Sequence, residues 1–124
     1  MAEAAFLLDS NICIYILEGR LPWLRRRVEE FEPGLLVTSA IVFGEVMIGA
    51  SKREATVEAR RFFEVVPVLP FDERAGLAYA RLPFKRGLYH LIAAHALALD
   101  LTLVTNNERD FGDIAGLRVE NWTR

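Results

Sequence analysis

The feature that most constrains the fold is a short apolar run that ends abruptly in polar residues, Phe6-Leu7-Leu8-Asp9-Ser10-Asn11. We interpret residues 5–8 as a buried strand, and Ser10 or Asn11 as the N-cap of the helix that follows. Open α/β sheets bind ligands outside the carboxyl ends of their strands. Asp9 is therefore predicted to lie at such an edge, where a carboxylate can help to hold a metal ion.

Strand-like and helix-like stretches alternate along the rest of the chain. Further strands are predicted at 35–38, 66–69, 101–104 and 117–120, and Pro67 and Pro70 indicate that the one at 66–69 lies at a sheet edge. Helices are predicted at 12–18, 22–30, 40–50, 51–65, 72–82 and 91–99, and loops at 83–89 and 105–111. This alternation predicts a single α/β domain over residues 1–124, with helices on both faces of a mostly parallel sheet.

Composition narrows the class of protein. Hydrophobic residues make up 52% of the 124 residues, which argues against disorder. Cys13 is the only cysteine, so an internal disulfide is excluded and a reducing compartment fits. No apolar run reaches the roughly 18 residues of a membrane span, and the N-terminus lacks the pattern of a signal peptide. We therefore expect a cytoplasmic protein without a membrane partner.

Three segments, including that of Asp9, direct acidic side chains to the same edge of the predicted sheet. Glu45 lies on the largely apolar helix after the second strand, and Asp110 follows the strand at 101–104 together with Asn106 and Asn107. Parallel strands open their carboxyl ends on one edge, so these groups should meet in one cleft. Carboxylates so close together repel unless a cation lies between them. Oxygen ligands favour Mg²⁺, or Mn²⁺ in its place.

Basic and polar residues are expected to bind a substrate beside this cleft. Lys85, Arg86 and His90 lie on the predicted approach and can hold a phosphodiester backbone, and Asn11 and Thr105 are further candidates for substrate contact. The net charge of -2 does not exclude nucleic acid, because local cations and a metal ion can bind phosphate. The predicted reaction is metal-assisted phosphodiester hydrolysis.

Several stretches together resemble one family, the PIN-domain ribonucleases, and most closely its VapC/FitB-like toxins. The stretches are 7–11, 38–49, Leu91-Ile92-Ala93-Ala94-His95-Ala96, Thr105-Asn106-Asn107 with Asp110-Phe111, and 116–122. The resemblance covers nearly the whole chain and implies a PIN-like three-layer α/β/α domain with a central sheet of four to five strands. It also implies a Mg²⁺-dependent endoribonuclease, with metal binding and catalysis at Asp9 and Glu45. Asp110 and Asn107 match the loop that supplies the fourth polar ligand, Asp110 as a metal ligand.

The resemblance also implies partners. A small VapB-like antitoxin would inhibit the toxin and supply the contact with operator DNA, so the toxin meets that DNA only indirectly, whereas RNA is the substrate. A homodimer or a toxin–antitoxin hetero-oligomer is expected. Apolar residues of the first two predicted helices are candidates for a groove that accepts an antitoxin helix: Ile12, Tyr15, Ile16, Leu17 and Trp23.

One position departs from the family pattern. That pattern has a metal-binding Asp two residues before the Leu-Ile-Ala-Ala run, whereas this chain has Tyr89 there, followed by His90. We interpret the Gly87-to-Leu91 segment as one residue short, with an Asp missing between Tyr89 and His90. Imidazole is a poor ligand for Mg²⁺, so His90 is no substitute. The chain is therefore predicted to bind Mg²⁺ weakly and to cleave RNA poorly or not at all.

Two other functions compete with the nuclease. One is a non-catalytic role, in which the chain serves only as the binding subunit of an antitoxin–operator repressor complex. The other is a phosphoacceptor signalling domain, which shares the parallel sheet with acids at strand ends. That fold needs paired acids after its first strand and a Lys after a later one, whereas Asp9 stands alone and Asn106 and Asn107 take the other place.

Overall fold

Short apolar runs form one sheet at the centre of the molecule. The computed structural model describes residues 3–83 and 87–124. Within these ranges the sheet has five strands: β1 Phe6–Leu8, β2 Leu36–Ser39, β3 Val68–Leu69, β4 Thr102–Val104 and β5 Val119–Glu120. Four of these strands lie within runs predicted to be strands, and β2 extends one residue beyond its predicted run at 35–38, to Ser39.

All neighbouring strands in this sheet are parallel, in the order β3-β2-β1-β4-β5. The prediction of a parallel sheet, with β3 at an edge, is therefore confirmed. The chain crosses from β1 to β2 on one side and later returns to β4 on the other, so strand order reverses beside β1. Such a switch point is where open α/β sheets leave a crevice for ligands.

Helices cover both faces of the sheet, as predicted for a three-layer domain. Their bounds in the described part of the chain are α1 Ser10–Leu17, α2 Pro22–Glu29, α3 Ala40–Lys52, α4 Thr56–Val65, α5 Glu73–Arg81, α6 Gly87–Ala98 and α7 Glu108–Phe111. Side chains cap two of these helices: Ser39 accepts a hydrogen bond from the Ile41 amide at the start of α3, and Asp72 accepts one from the Ala75 amide at the start of α5. These caps satisfy backbone donors that a helix start leaves open.

Four local predictions are wrong, each where a helix begins. Asp9, not Ser10 or Asn11, is the N-cap of α1. The helix predicted to begin at 51 begins at Thr56, because α3 continues to Lys52 and Glu54 then adopts a left-handed conformation with φ 55°. The end of the loop predicted at 83–89 is already helical from Gly87, and the loop predicted at 105–111 contains α7.

The core lies between the sheet and the helices that pack on it. Leu7, Leu8 and Leu103 in the strands are fully buried, and the alanines of α6 allow that helix to pack closely. A separate aromatic cluster joins Phe6, Phe31 and Trp122, with the Phe31 and Trp122 rings stacked at a centroid distance of 5.3 Å. Within the described ranges, no helix has the length and apolarity needed to cross a bilayer.

Candidate metal centre

Asp9 lies at the carboxyl end of the central strand, where the sheet fixes its position. Its backbone amide donates to the Val104 carbonyl at 2.9 Å, which extends the β1–β4 pairing by one residue. Its carboxylate accepts one hydrogen bond from the Ser10 amide at 2.8 Å and another from the Thr105 hydroxyl at 2.7 Å. The side chain is only 6% exposed, so both oxygens are held in a defined orientation.

Glu45 reaches the same place from the second turn of α3. The Ser10 hydroxyl donates to Glu45 Oε1 at 2.6 Å, so one residue connects the two carboxylates. Burial raises the pKa of Asp9 above its ordinary value, and the negative charge of Glu45 raises it further, while the hydrogen bonds from Thr105 and Ser10 oppose the shift. A cation between the two carboxylates would relieve both the repulsion and the loss of hydration.

The loop after β4 adds an amide to this cleft. Asn107 lines the cleft, and its backbone amide donates to the Thr105 hydroxyl at 3.0 Å. The Asn107 side-chain amide donates in turn to Asp110. Asp110 itself is exposed and is not one of the residues that line the cleft. The structure therefore brings together two of the three predicted carboxylates, and Asp110 acts on the orientation of Asn107.

The cleft has a volume of about 340 Å³, and its opposite wall is formed by the first half of α6. The lining residues are Asp9, Ser10, Asn11, Glu45, Gly87, Leu88, Tyr89, Ile92 and Asn107. Among the described residues, this α6 wall contributes no carboxylate. In the same part of the chain, no group of three or more His, Cys, Asp or Glu side chains is placed to hold a metal ion. The donor set nevertheless suits a hard cation, since two carboxylates and an amide all offer oxygen.

The predicted substrate-binding residues lie in different environments. Asn11 is exposed and lines the cleft, and its contact with substrate stays a prediction. Thr105 is fully buried and bonds Asp9, so it orients the carboxylate instead of contacting substrate. His90 is 3% exposed and does not line the cleft, because its position on α6 turns it away from the wall formed by Tyr89 and Ile92. The predicted contacts at Lys85 and Arg86 lie outside the described residues.

Sequence reasoning missed the bridging role of Ser10 and the place of Asn106. Ser10 was expected only as a helix cap, yet its hydroxyl joins Asp9 to Glu45. Asn106 contacts two residues of α1, donating to the Tyr15 hydroxyl and accepting from Asn11. The four-residue spacing of Asn11 and Tyr15 was the available signal, because it puts both on one helix face.

Comparison with known proteins places this geometry in a family. The family model described as PIN domain matches residues 6–117. The tRNA(fMet)-specific endonuclease VapC of Shigella flexneri is 32% identical over 136 aligned positions, which cover 95% of this chain and 98% of the relative. Ribonuclease VapC2 of Rickettsia felis is 29% identical over 132 positions, with coverage of 96% and 98%. Both alignments are longer than this chain of 124 residues, so the relatives hold segments that it lacks.

Solved structures agree with this placement. DNA-bound VapBC from Salmonella typhimurium superposes with a TM-score of 0.84 at 30% identity, covering 96% of this chain and 98% of that chain. VapBC-1 from nontypeable Haemophilus influenzae gives 0.82 at 29% identity, covering 97% and 99%. The family match includes the strand before Asp9, the helix that carries Glu45 and the loop after β4. This chain therefore belongs to the PIN-domain family.

Proposed function

We propose that this chain is the toxin of a toxin–antitoxin pair and hydrolyses RNA phosphodiester bonds with the aid of a divalent metal ion. The observation that carries the proposal is the meeting of Asp9 and Glu45 in one open cleft, connected through Ser10. Relatives with similarity over nearly the whole chain are called ribonucleases or a tRNA(fMet)-specific endonuclease. Support thus comes from both the donor set and the names of these relatives.

Each residue of the cleft has its own role in the proposed reaction. Asp9 and Glu45 would hold Mg²⁺, or Mn²⁺, and Thr105 keeps the Asp9 carboxylate turned into the cleft. Such an ion, when bound, activates water and neutralises charge on a phosphoryl group. Asn107, in the loop after β4, is held by Asp110 and would orient the scissile phosphate with its side-chain amide. We assign contact with the RNA strand to Asn11, because it is exposed and lines the cleft.

We further propose that this chain binds the ion weakly and turns over slowly. The family pattern has an Asp where this chain has Tyr89, and the α6 wall of the cleft carries no charge there. Two carboxylates attract a divalent cation less than three do. Loss of one Asp codon between Tyr89 and His90 accounts for the short segment. Sequencing the gene in its source organism tests this explanation, and an unbroken Tyr-His junction there would rule it out.

An antitoxin is the proposed partner, and a groove away from the cleft offers it a place. The groove has a volume of about 400 Å³ and is lined by Ile16, Leu17, Arg25, Val28, Glu29, Glu58, Arg61, Phe62 and Val65. Of the five residues predicted for such a groove, Ile16 and Leu17 line it. Ile12 instead belongs to the core, Tyr15 contacts Asn106, and Trp23 donates to the Trp122 carbonyl.

Apolar and charged side chains both line this groove, which suits an amphipathic helix. The solved relatives include VapBC complexes bound to DNA. We accordingly propose that this toxin meets operator DNA only through its antitoxin, in the cytoplasm, as a homodimer or a toxin–antitoxin hetero-oligomer.

Cleavage of RNA tests the catalytic proposal directly. Total RNA and purified initiator tRNA are incubated with the chain in Mg²⁺, in Mn²⁺ and in EDTA, alongside Glu45→Gln and a variant with Asp inserted between Tyr89 and His90. We expect slow cleavage by the parent chain, none by Glu45→Gln or in EDTA, and faster cleavage by the insertion variant. Cleavage that persists in EDTA or in Glu45→Gln would refute a metal-dependent reaction at this cleft.

A non-catalytic role is the second candidate, and the lack of a charged residue on the α6 wall is the observation that favours it. The chain would then act only as the binding subunit of a repressor complex. In that case neither the parent chain nor the insertion variant cleaves RNA, while both co-purify with the antitoxin and shift operator DNA. Cleavage restored by the inserted Asp would instead establish the nuclease as the ancestral activity.

A further inference from the structure

A line of hydrogen-bonded side chains leaves the cleft along one face of α1. Asn11, which lines the cleft, donates from its side-chain amide to Asn106 Oδ1 at 3.2 Å. Asn106 Nδ2 donates to the Tyr15 hydroxyl at 3.0 Å. Asn11 and Tyr15 are four residues apart, so they share a helix face and lie about 6 Å apart along its axis. Asn106 therefore ties the loop after β4 to the side of α1.

A guanidinium group continues this line beyond the end of the helix. Gly19, with φ 72°, ends α1 in the left-handed conformation and turns the chain back, and the Arg20 amide donates to the Tyr15 carbonyl at 2.8 Å. The Arg20 guanidinium then lies over the Tyr15 ring, with its carbon 4.3 Å from the ring centroid. We call Asn11, Asn106, Tyr15 and Arg20 the α1 ridge.

The far end of the α1 ridge keeps a net positive charge. Glu18 Oε1 lies 3.1 Å from Arg20 Nη1, while Glu18 Oε2 lies 3.6 Å from Arg53 Nη1. One carboxylate is thus shared by two guanidinium groups, which leaves one positive charge in excess. The Arg20 side chain is 58% exposed, so this charge is accessible to a ligand. The cleft at the other end of the ridge holds the carboxylates of Asp9 and Glu45.

We propose that the α1 ridge is a subsite for the single-stranded RNA that runs out of the cleft. Arg20 contacts a backbone phosphate, and the amides of Asn11 and Asn106 contact a base edge or a sugar hydroxyl. Side-chain amides, an aromatic ring and a planar guanidinium group are the chemistry that binds unpaired nucleotides. The subsite rests on the proposed function, because the direction of the strand is set by a phosphodiester at Asp9 and Glu45.

Packing of Arg20 on Tyr15 fixes the orientation of the guanidinium group that contacts the phosphate. A guanidinium group that already lies on a ring loses little side-chain entropy when it binds, in contrast to a freely extended arginine. Glu18 holds the same group from the side. Replacing Arg20 by Lys keeps the charge but removes the planar contact with the ring. The RNA subsite therefore requires arginine specifically, whereas simple charge attraction would accept lysine.

Binding of labelled single-stranded RNA tests the α1 ridge without depending on turnover. Fluorescence anisotropy is measured in EDTA at several salt concentrations for the parent chain, Arg20→Gln, Arg20→Lys and Tyr15→Phe. Arg60→Gln, which removes the same charge from α4 where the guanidinium group also lies over an aromatic ring, that of Phe43, is the matched control. We expect Arg20→Gln to weaken binding about tenfold at low salt and to reduce the salt slope by about 0.7, the value for one phosphate of a single strand.

The other variants separate a local contact from a general charge effect. Tyr15→Phe keeps the ring but loses the bond to Asn106, so we expect weaker binding with an unchanged salt slope. Arg20→Lys should retain most of the slope and lose affinity. Equal effects of Arg20→Gln and Arg60→Gln would overturn the subsite in favour of long-range attraction. Loss of antitoxin capture by Arg20→Gln, with RNA binding unchanged, would overturn it in favour of a protein surface.

Failure of the subsite and failure of the proposed function are distinguishable. If the parent chain binds RNA and the Arg20 variants bind equally well, the α1 ridge is wrong and the nuclease proposal stands. If neither the parent chain nor the chain with the inserted Asp binds or cleaves RNA, the proposed function is wrong and the subsite falls with it. Melting temperatures of all variants confirm that each one is folded.

Discussion

Tyr89 lines the cleft at the position where we propose that a third carboxylate is missing. Its side chain is 44% exposed, lines the cleft from α6 and lies two residues before Leu91. The change Tyr89→Asp therefore adds a negative charge to the cleft that contains Asp9 and Glu45 and leaves the register of α6 unchanged. An insertion, by contrast, rotates the preceding residues of the helix by about 100°.

The expected gain in ion affinity follows from the exposure of this position. Two unit charges about 4 Å apart attract by about 1 kcal/mol in water, so a divalent ion gains about 2 kcal/mol from one added carboxylate. This energy corresponds to roughly thirtyfold tighter binding. The dielectric constant of water suits the exposed Tyr89 position, whereas Asp9 is nearly buried.

The same change has a small cost in folding stability. The Tyr89 ring contacts the Phe111 ring edge to face, with centroids 5.7 Å apart, and such a pair contributes about 0.5–1.5 kcal/mol. An Asp in the first turn of α6 regains about 0.3–1 kcal/mol from the helix dipole. We expect the melting temperature to change by only a few degrees.

Calorimetric titration with Mn²⁺ at pH 7 and low salt measures this effect. Tyr89→Asn is the matched control, because it removes the ring without adding charge. We expect the dissociation constant to fall about thirtyfold for Tyr89→Asp alone, and RNA cleavage to rise in that variant alone. The gain should shrink at high ionic strength. Equal Mn²⁺ affinity in the Asp and Asn variants would refute the reasoning.

Three further variants test the fold around the site. The folded-state pKa of Asp9 is raised above its ordinary 3.8, so its stabilising contribution is complete below that pH and lost as pH rises through the folded-state pKa. Asp9→Asn should therefore raise the melting temperature more at pH 7 than at pH 3.5, and an equal change at both pH values would contradict this sign. The Trp122 side chain is 2% exposed and stacks on Phe31, so Trp122→Ala should lower the free energy of unfolding in urea by about 3–5 kcal/mol. A loss below about 1 kcal/mol would show that this aromatic contact hardly contributes to stability. Ser39→Ala removes both the α3 cap and the 2.7 Å contact with His95 Nδ1, so we expect a loss of about 1–3 kcal/mol by the same measurement, whereas no loss would mean that water replaces both contacts.

The parallel sheet and the pairing of Asp9 with Glu45 could both be predicted from the sequence. Alternating strands and helices force parallel strands, and parallel strands present their carboxyl ends on one edge. Asp9 directly follows one strand, and Glu45 lies in the second turn of the helix after its neighbour. The order of strands and helices along the chain was therefore enough to predict that Asp9 and Glu45 meet in the cleft.

The place of Asp110 could not be predicted in this way. Asp110 follows the correct strand, yet α7 begins at Glu108 and turns its carboxylate to Asn107, away from the cleft. The orientation of a side chain in a loop depends on hydrogen bonds within that loop, and helical periodicity says nothing about them. The start of α6 was missed for a related reason. A glycine in the sequence indicates a loop, whereas in the structure Gly87 adopts φ 63° and begins the helix.

The sequence by itself determined the layered α/β architecture, since the spacing of apolar residues leaves the strands one way to be buried between helices. It also determined which acid follows the central strand. Only the tertiary structure decided which oxygens face the cleft. Thr105 meets Asp9 across 96 positions of the chain, and Asn106 meets Tyr15 across 91. Contacts between residues so far apart depend on how β1 and β4 pair and how α1 packs beside them, and no local pattern in the chain specifies them.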